Sequence, residues 1–368
     1  MKRLSIKSTW VVESEDGQHL GPELFAMLNA IHDTGKLTEA VRRVGMSYRH
    51  AWNLVERWNA FFGAPLVRFE RGKGAFLTPL AERLLWAEQR VSARLALQLD
   101  SVASELNLEI SRLLATAGAT IRIHASHGFA VARIPELLKD QDRIQLVLRY
   151  SGSVEALTSL SKETCDLAGL HVPEGRLAKA ALDQYARWLQ PANQRIIHLV
   201  TRTQGLFVAQ GNPKNIQGVL DLPRADVTFI NRQKDAGTRL LFDQILVEAG
   251  IDPRRIEGYR TEEFTHAAVA AYVASGAADA GFGVEPAARQ FRLDFIPLAT
   301  ERYVFVCNTR TLERPEVIEL LVLVRSERFA AMVAELPGYS APRVGDVERL
   351  EEAFPQLREA TPKITRRA

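Results

Sequence analysis

Leu37-Thr-Glu-Ala-Val-Arg-Arg-Val-Gly-Met-Ser-Tyr-Arg-His-Ala-Trp52 carries two helical patterns separated by one turn. Ala40, Val41 and Val44 repeat at the spacing of a buried helical stripe. Gly45 permits a tight turn, and Ser47 is placed to cap a second helix that Ala51, Leu54 and Val55 anchor. The spacing predicts a helix-turn-helix. It leaves Ser47, Tyr48, Arg49, His50 and Asn53 on the outward N-terminal part of the second helix, the part that enters the major groove in such motifs. Arg49 suits guanine O6 and N7, and Asn53 suits an adenine edge or a phosphate. An ordinary helical pair with a solvated charged face has the same spacing, so the flanking sequence has to decide.

Downstream, residues 65–70 and 75–78 are predicted strands flanking Arg71-Gly-Lys-Gly74, a flexible basic tip. Arg68, Arg71 and Lys73 then form the wing expected beside a recognition helix. From Lys36 to Lys73 there are eight Lys and Arg against three Glu, an excess of five, larger than the +3 of the whole chain. A local basic surface of this kind is the electrostatic footprint of phosphate contacts. Upstream, residues 9–20 alternate around Ser14-Glu-Asp-Gly17 and predict a hairpin. Gly21-Pro22 opens a helix carrying Leu24, Phe25, Leu28 and Ile31, which Gly35 stops. Residues 1–79 are thus expected to form a winged helix-turn-helix that binds a double-stranded DNA operator.

Residues 80–116 read as one long linker helix. Leu84, Val91, Leu95, Val102, Leu106 and Leu113 recur at intervals of 7 and 4, which keeps a stripe on one face of a nearly straight helix. A helix between two domains has little of its own chain to pack on, so the stripe predicts a homodimer or homotetramer. Packing against its own domain is the alternative.

Beyond 117 the pattern becomes alternating strands and helices. Strands are expected at 120–123, 144–150, 167–171, 195–201, 206–209, 227–230, 278–281, 295–297 and 303–307. Helices are expected near 129–139, 153–161, 214–220, 238–249, 264–275, 285–290 and 315–335. This order predicts a two-lobed α/β domain over 117–345 with mostly parallel sheets, followed by a tail at 346–368 with a basic end (Arg358, Lys363, Arg366, Arg367). Three predicted strand ends lead into loops of small and hydroxyl residues: Ser126-His127, Ser151-Gly152-Ser153 and Gly237-Thr238-Arg239. Such loops offer free N–H groups and hydroxyls to an anion, and Asn231, Arg232 and Arg239 add donors. Taken singly, Ser and Gly cap helices everywhere; three after strand ends point to a small anionic effector in a cleft.

No HExxH, GxSxG, Walker A or complete dinucleotide fingerprint occurs, so an enzyme is not the expected class and no catalytic or metal-binding residue is assigned. Of His124, His127, His171, His198 and His266, only His127 is expected to touch ligand. Cys165 and Cys307 stand far apart without a CxxC, which argues against a disulfide framework or a zinc site. With 46% hydrophobic and 25% charged residues, and neither a signal peptide nor a membrane-length apolar run, a cytoplasmic location without membrane contact is expected.

Residues 20–85, from Leu20-Gly-Pro-Glu-Leu-Phe25 through Gly45-Met-Ser-Tyr-Arg-His-Ala-Trp52 and Phe62-Gly63 to Leu77-Thr-Pro-Leu-Ala-Glu-Arg-Leu-Leu85, resemble the winged helix of ModE-type molybdate regulators, relatives of the LysR class. Residues 119–345 resemble the type 2 periplasmic-binding-protein-like domain found behind such winged helices and with some molybdopterin-biosynthesis proteins. The carrying pieces are His124-Ala-Ser-His-Gly128, Tyr150-Ser-Gly-Ser153, Gln210-Gly-Asn-Pro213, Phe229-Ile-Asn-Arg-Gln-Lys-Asp-Ala-Gly-Thr-Arg239 and Ala274-Ser-Gly-Ala-Ala-Asp-Ala-Gly281. The resemblance implies a ligand-responsive transcriptional regulator with no bound cofactor, sensing molybdate or tungstate first, with a formate-like anion or a cofactor fragment behind. A DNA-binding protein with a ligand-free sensor, or an enzyme of molybdenum-cofactor metabolism, is the alternative. Asp235-Ala236 depart from the Gly-Ser usual before Gly-Thr-Arg, and Gly128 stands where an acidic residue is common.

Overall fold

The computed structural model describes residues 4–15, 17–113, 118–139, 141 and 144–358. Asp16 of the expected turn, the helix end at 114–117 and the tail residues Lys363, Arg366 and Arg367 lie outside the described residues. The chain divides into two compact units, Lys7–Leu95 and Met1–Ile6 with Ala96–Ala368.

In the smaller unit β1 (Val12–Glu13) pairs antiparallel with β2 (His19–Leu20), as the alternation around Gly17 predicts. Helix α1 (Glu23–Thr34) buries Leu24, Phe25, Leu28 and Ile31 and ends at Gly35, whose φ of 65° only glycine adopts freely. Helix α2 (Leu37–Val44) closes on Gly45, and α3 (Tyr48–Phe62) is capped by Ser47, whose hydroxyl accepts the His50 N–H at 3.2 Å. Strands β3 (Val67–Glu70) and β4 (Gly74–Leu77) form an antiparallel hairpin. The hairpin is seated on the end of α1: Ala75 N–H donates to Gly35 O at 2.8 Å, and a Cβ on Gly74 would lie 2.1 Å from that oxygen. Trp58, Leu24, Leu28, Val55, Leu66 and Ala81 share the core.

Helix α4 (Pro79–Leu113) begins in the smaller unit and ends in the larger. The larger unit then runs β5 (Ala119–Ala125), α5 (Ile134–Leu137), β6 (Ile144–Tyr150), α6 (Ser153–Ser161), β7 (Leu167–Pro173), α7 (Ala178–Tyr185), β8 (Gln194–Val208), β9 (Phe229–Arg232) and α8 (Gly237–Glu248). It continues with β10 (Glu262–Glu263), α9 (His266–Ala274), β11 (Ala280–Val284), α10 (Glu285–Gln290), β12 (Asp294–Asn308), α11 (Pro315–Val324), α12 (Glu327–Ala334), β13 (Tyr339–Ser340), β14 (Val347–Arg349) and α13 (Leu350–Ala353). One curled sheet has the order β10-β9-β11-β8-β12-β7-β5-β6, with β13 and β14 also on β8. The first lobe buries Ile121, Ile123, Leu320 and Phe329 on one face of its strands and Leu157, Leu182, Tyr185 and Phe354 in a second cluster. The second lobe is built on Leu206, Phe229, Phe242 and Phe282. Strand β6 ends the sheet path, and α4 covers it: Ser104 and Ser101 hydroxyls accept the Leu148 and Tyr150 N–H at 2.9 and 3.0 Å.

The two-lobed α/β expectation holds, with corrections. Parallel pairing is confined to each lobe (β5 with β6 and β7, β9 with β10 and β11), whereas the middle of the sheet is antiparallel. The separate strands expected at 195–201 and 206–209 are one, β8, and those at 295–297 and 303–307 are one, β12. Polar Arg202-Thr-Gln204 and Thr300-Glu-Arg302 interrupt the apolar runs and imitate loops in the sequence. They are instead where the two long strands pass from lobe to lobe. The helix expected at 315–335 is broken at Ser326, which caps α12. At 214–220 only a single turn, Val219–Asp221, forms, and at 129–139 a turn, Val131–Arg133, precedes the short α5. Of the residues expected in the tail, Val347–Arg349 pair with β8, and Leu350 and Phe354 are buried.

Candidate functional site

The carboxyl ends of the parallel strands in both lobes face a common crevice, the place where open α/β sheets bind ligands. Ser126 follows β5 and Ser151 follows β6, tied together by Ser151 N–H donating to Ala125 O at 2.9 Å. Gly152 N-caps α6 without a side-chain hydrogen bond, and Ser153 opens the helix. From the second lobe, Ala236 caps α8 equally bare, with Gly237 and Thr238 in the first turn. Both termini present unsatisfied backbone N–H groups and a positive dipole end. The loops meet closely: a Cβ on Gly152 would stand 3.6 Å from Asp235 O, and one on Gly237 would stand 3.9 Å from His171 Cδ2 and 4.0 Å from the Tyr185 hydroxyl.

The two long strands supply the floor. Arg202 of β8 donates from Nε to Glu301 Oε1 of β12 at 2.5 Å, and from Nη1 to His127 O at 3.5 Å. Its Nη2 lies 3.2 Å from His171 Nε2. An arginine only donates, so His171 Nε2 accepts and the ring proton sits on Nδ1, 3.6 Å from Glu301 Oε1. Gln204 Nε2 donates to Glu301 Oε1 at 2.8 Å and to Thr238 Oγ1 at 3.3 Å, linking the floor to α8. Tyr303 donates to Ser126 O at 2.7 Å.

This site is short of partners. Arg232, at the end of β9, is buried, and its guanidinium meets only neutral acceptors: Gln233 Oε1 at 3.1 Å and Phe264 O at 3.0 Å. Burial, then Arg202, lower its pKa to about 9. Burial first, with Arg202 and Arg232 next, pushes His127 down to about 3 and holds His171 and His266 well below the usual histidine range. These histidines are neutral at pH 7. The buried Ser126 and Ser151 hydroxyls, Gln204 Oε1 and the Nδ1 atoms of His127, His171 and His266 have no hydrogen-bond partner. A cluster of orphaned polar atoms costs free energy unless something polar enters. One guanidinium without an acidic partner among the described residues and two bare helix N-termini stand beside these atoms.

Of the residues expected here from sequence, the structure brings together Ser126, His127, Ser151, Gly152, Ser153, Arg232, Gly237 and Thr238. Two are committed elsewhere. Arg239 pairs with Asp243 at 2.9 Å and Glu262 at 3.0 Å, and lies 4.3 Å over the Tyr259 ring. Asn231 accepts the Arg232 N–H and donates to Tyr259 O. Both hold the second lobe together. Arg202, Gln204, Glu301 and Tyr303 were missed, as was the part played by His171 and His266. The available signal was polar residues two apart, Arg202 with Gln204, on one face of an otherwise apolar run.

The smaller unit carries a separate surface. Ser47, Tyr48, Arg49, His50 and Asn53 are all exposed, while Ala51, Leu54, Val55 and Trp58 are buried, so the face assignment read from spacing is the observed one. Arg68, Arg71 and Lys73 are exposed on the hairpin; Lys73 meets Glu70 at 3.3 Å in a solvated contact of small worth. Among the described residues no group of His, Cys, Asp and Glu could hold a metal ion, and no helix is long and apolar enough to cross a membrane.

Residues 135–325 match the family described as the PBP superfamily domain. The chain is similar to the uncharacterized protein YvgK of Bacillus subtilis (strain 168), 36% identical over 199 residues, covering 54% of this chain and 64% of that protein. It is also 36% identical over 154 residues to the molybdenum-pterin-binding protein MopB of Rhodobacter capsulatus, covering 41% of this chain and 56% of that protein. The chain thus spans about three fifths of the length of these curated relatives. Among solved structures, the C206 mutant of OxyR from Corynebacterium glutamicum aligns at a TM-score of 0.43 and 14% identity, over 85% of this chain and 94% of that one.

Proposed function

We infer the function from family and cleft together: the chain belongs to the PBP superfamily, and we read it as a transcriptional regulator that binds a small oxyanion between its lobes and double-stranded DNA through its smaller unit. The observation that carries the reading is Arg232, a buried guanidinium with no acidic partner among the described residues, beside orphaned hydroxyls and bare helix N-termini. Molybdate or tungstate is the first effector to test, supported by the similarity to a protein named for binding molybdenum pterin; formate comes next. The cationic, exposed face of α3 and its hairpin supports the DNA partner, and self-association through α4 would space two such faces on paired half-sites.

An effector acts only through different affinities for two states of the protein. The test is to select duplexes from a random pool on the full chain and measure their affinity with and without saturating molybdate or tungstate. The expected change is about 5-fold or more in either direction, the usual scale of coupling between sites. An oxyanion that binds yet leaves DNA affinity unchanged would remove the regulatory reading, and a pool that yields no duplex would remove the DNA partner.

A further inference from the structure

The cationic face of the smaller unit has an apolar centre. Tyr48 and Trp52, one turn apart on α3, stack at 6.4 Å between ring centroids with planes 22° apart. Trp52 meets Phe69 of β3 at 4.8 Å. The three rings are 50%, 38% and 42% exposed, and together they form a ledge running from the start of α3 to the hairpin. Arg49, His50 and Asn53 of α3 and Arg68 and Arg71 of the hairpin are also exposed, against the two exposed acids Glu56 and Glu70. Large aromatic rings left half in water are not explained by the core, which Trp58, Val55 and Leu66 fill without them.

We propose that this ledge reads thymine: the Tyr48, Trp52 and Phe69 rings take up 5-methyl groups of thymine in the major groove while the cations of α3 and the hairpin hold the phosphates. The proposal rests on the DNA-binding reading and deepens it. The exposed cations of these two elements select a polyanion as occupant. Phosphates satisfy arginine and lysine but offer nothing to a ring face. On the base edges of the major groove the apolar group is the thymine methyl, and apolar contact is how side chains recognise it. Tyr48 and Trp52 project from the N-terminal half of α3, the part of a recognition helix that faces base edges. The ledge therefore sets sequence preference, whereas Arg68 and Arg71 set overall affinity.

Duplexes selected on the full chain provide the test. Each thymine is replaced in turn by deoxyuridine, which deletes the methyl and keeps every hydrogen-bonding group. Affinity should fall about 4-fold at one or two positions, the worth of one buried methyl. Trp52→Ala and Tyr48→Ala should each weaken binding to the thymine duplex and bind the thymine and uracil forms equally at the positions they cover. Equal affinity of the wild-type chain for every deoxyuridine duplex overturns the proposal with DNA binding intact. So does a Trp52→Ala variant that still discriminates thymine from uracil, or one that changes the sedimentation coefficient and not DNA affinity, since the ledge would then join two copies of the chain. A chain that selects no duplex overturns both the ledge and the reading beneath it.

Discussion

Arg202 and Glu301 face each other across the two strands that join the lobes, as register partners of β8 and β12, with both side chains buried and Nε 2.5 Å from Oε1. Glu301 also receives the Gln204 amide, so one carboxylate compensates the arginine and ties the floor to Thr238. Removing it strands a buried cation. Glu301→Gln is expected to destabilise the protein by about 3–5 kcal/mol, more than Arg202→Met with Glu301→Met together, because the double change removes both charges. Denaturant unfolding of the three proteins measures it; a single variant within ~1 kcal/mol of wild type would mean that Glu301 does not compensate a buried Arg202 charge.

Arg232 should behave in the opposite way. Its charge is buried and paired with no acidic side chain among the described residues, Glu263 standing beside it only as its strand-register partner, so Arg232→Gln should stabilise the ligand-free protein by about 1 kcal/mol or more while losing the anion. Glutamine can still donate to Phe264 O. Thermal unfolding without ligand reads the first effect, and loss of stability on this substitution would show that Arg232 is structural.

Much of this was legible in the sequence where a single local rule governs. Gly35, Gly45 and Ser47 announce the helix ends of the smaller unit, and those ends are found where the residues stand. The loops at Ser126, Ser151 and Gly237 follow strand ends as expected, because parallel strands feeding helices leave small residues there. What was not legible depends on pairing between distant segments. Arg202 and Glu301 are 99 residues apart, and each looked like a loop charge until the other strand supplied its partner. Arg239 misled in the reverse sense: its position one residue after Gly237-Thr238 suggests a ligand donor, but Glu262, which pairs through the β9–β10 register with Asn231, claims it first.

The histidines give the ligand-free protein a defined acid sensitivity. His127, His171 and His266 all titrate below their unfolded value near 6.5, chiefly through burial. Depressed histidine pKa values mean the unfolded chain binds protons first, so their contribution is fully present above about pH 6.5 and is lost as pH falls toward the folded values, near 3 for His127. Each contributes up to ~1.4 kcal/mol per pH unit inside that window. Stability measured from pH 7 to pH 4 should fall, and His171→Gln should flatten the slope; a pH-independent melting temperature over that range would contradict the neutral assignment.

On α4, Val102, Ile110 and Leu113 are 47%, 41% and 86% exposed, while Ala103 and Ser104 are buried. If this apolar side is the contact between copies, Val102→Glu with Ile110→Glu should yield monomers in sedimentation at micromolar concentration. Oligomers that persist would place the contact elsewhere, and a wild-type chain that sediments as a monomer would remove self-association.

Calorimetric titration of molybdate, tungstate and phosphate into the full chain at pH 7, wild type beside Arg232→Gln, tests the anion cleft most directly. The cleft described here predicts saturable binding of at least one oxyanion to the wild type, at one site per chain, and no detectable heat with Arg232→Gln. Wild-type affinity retained by the variant would contradict it, because the anion would then be held without the only buried cation in the cleft that lacks an acidic partner among the described residues.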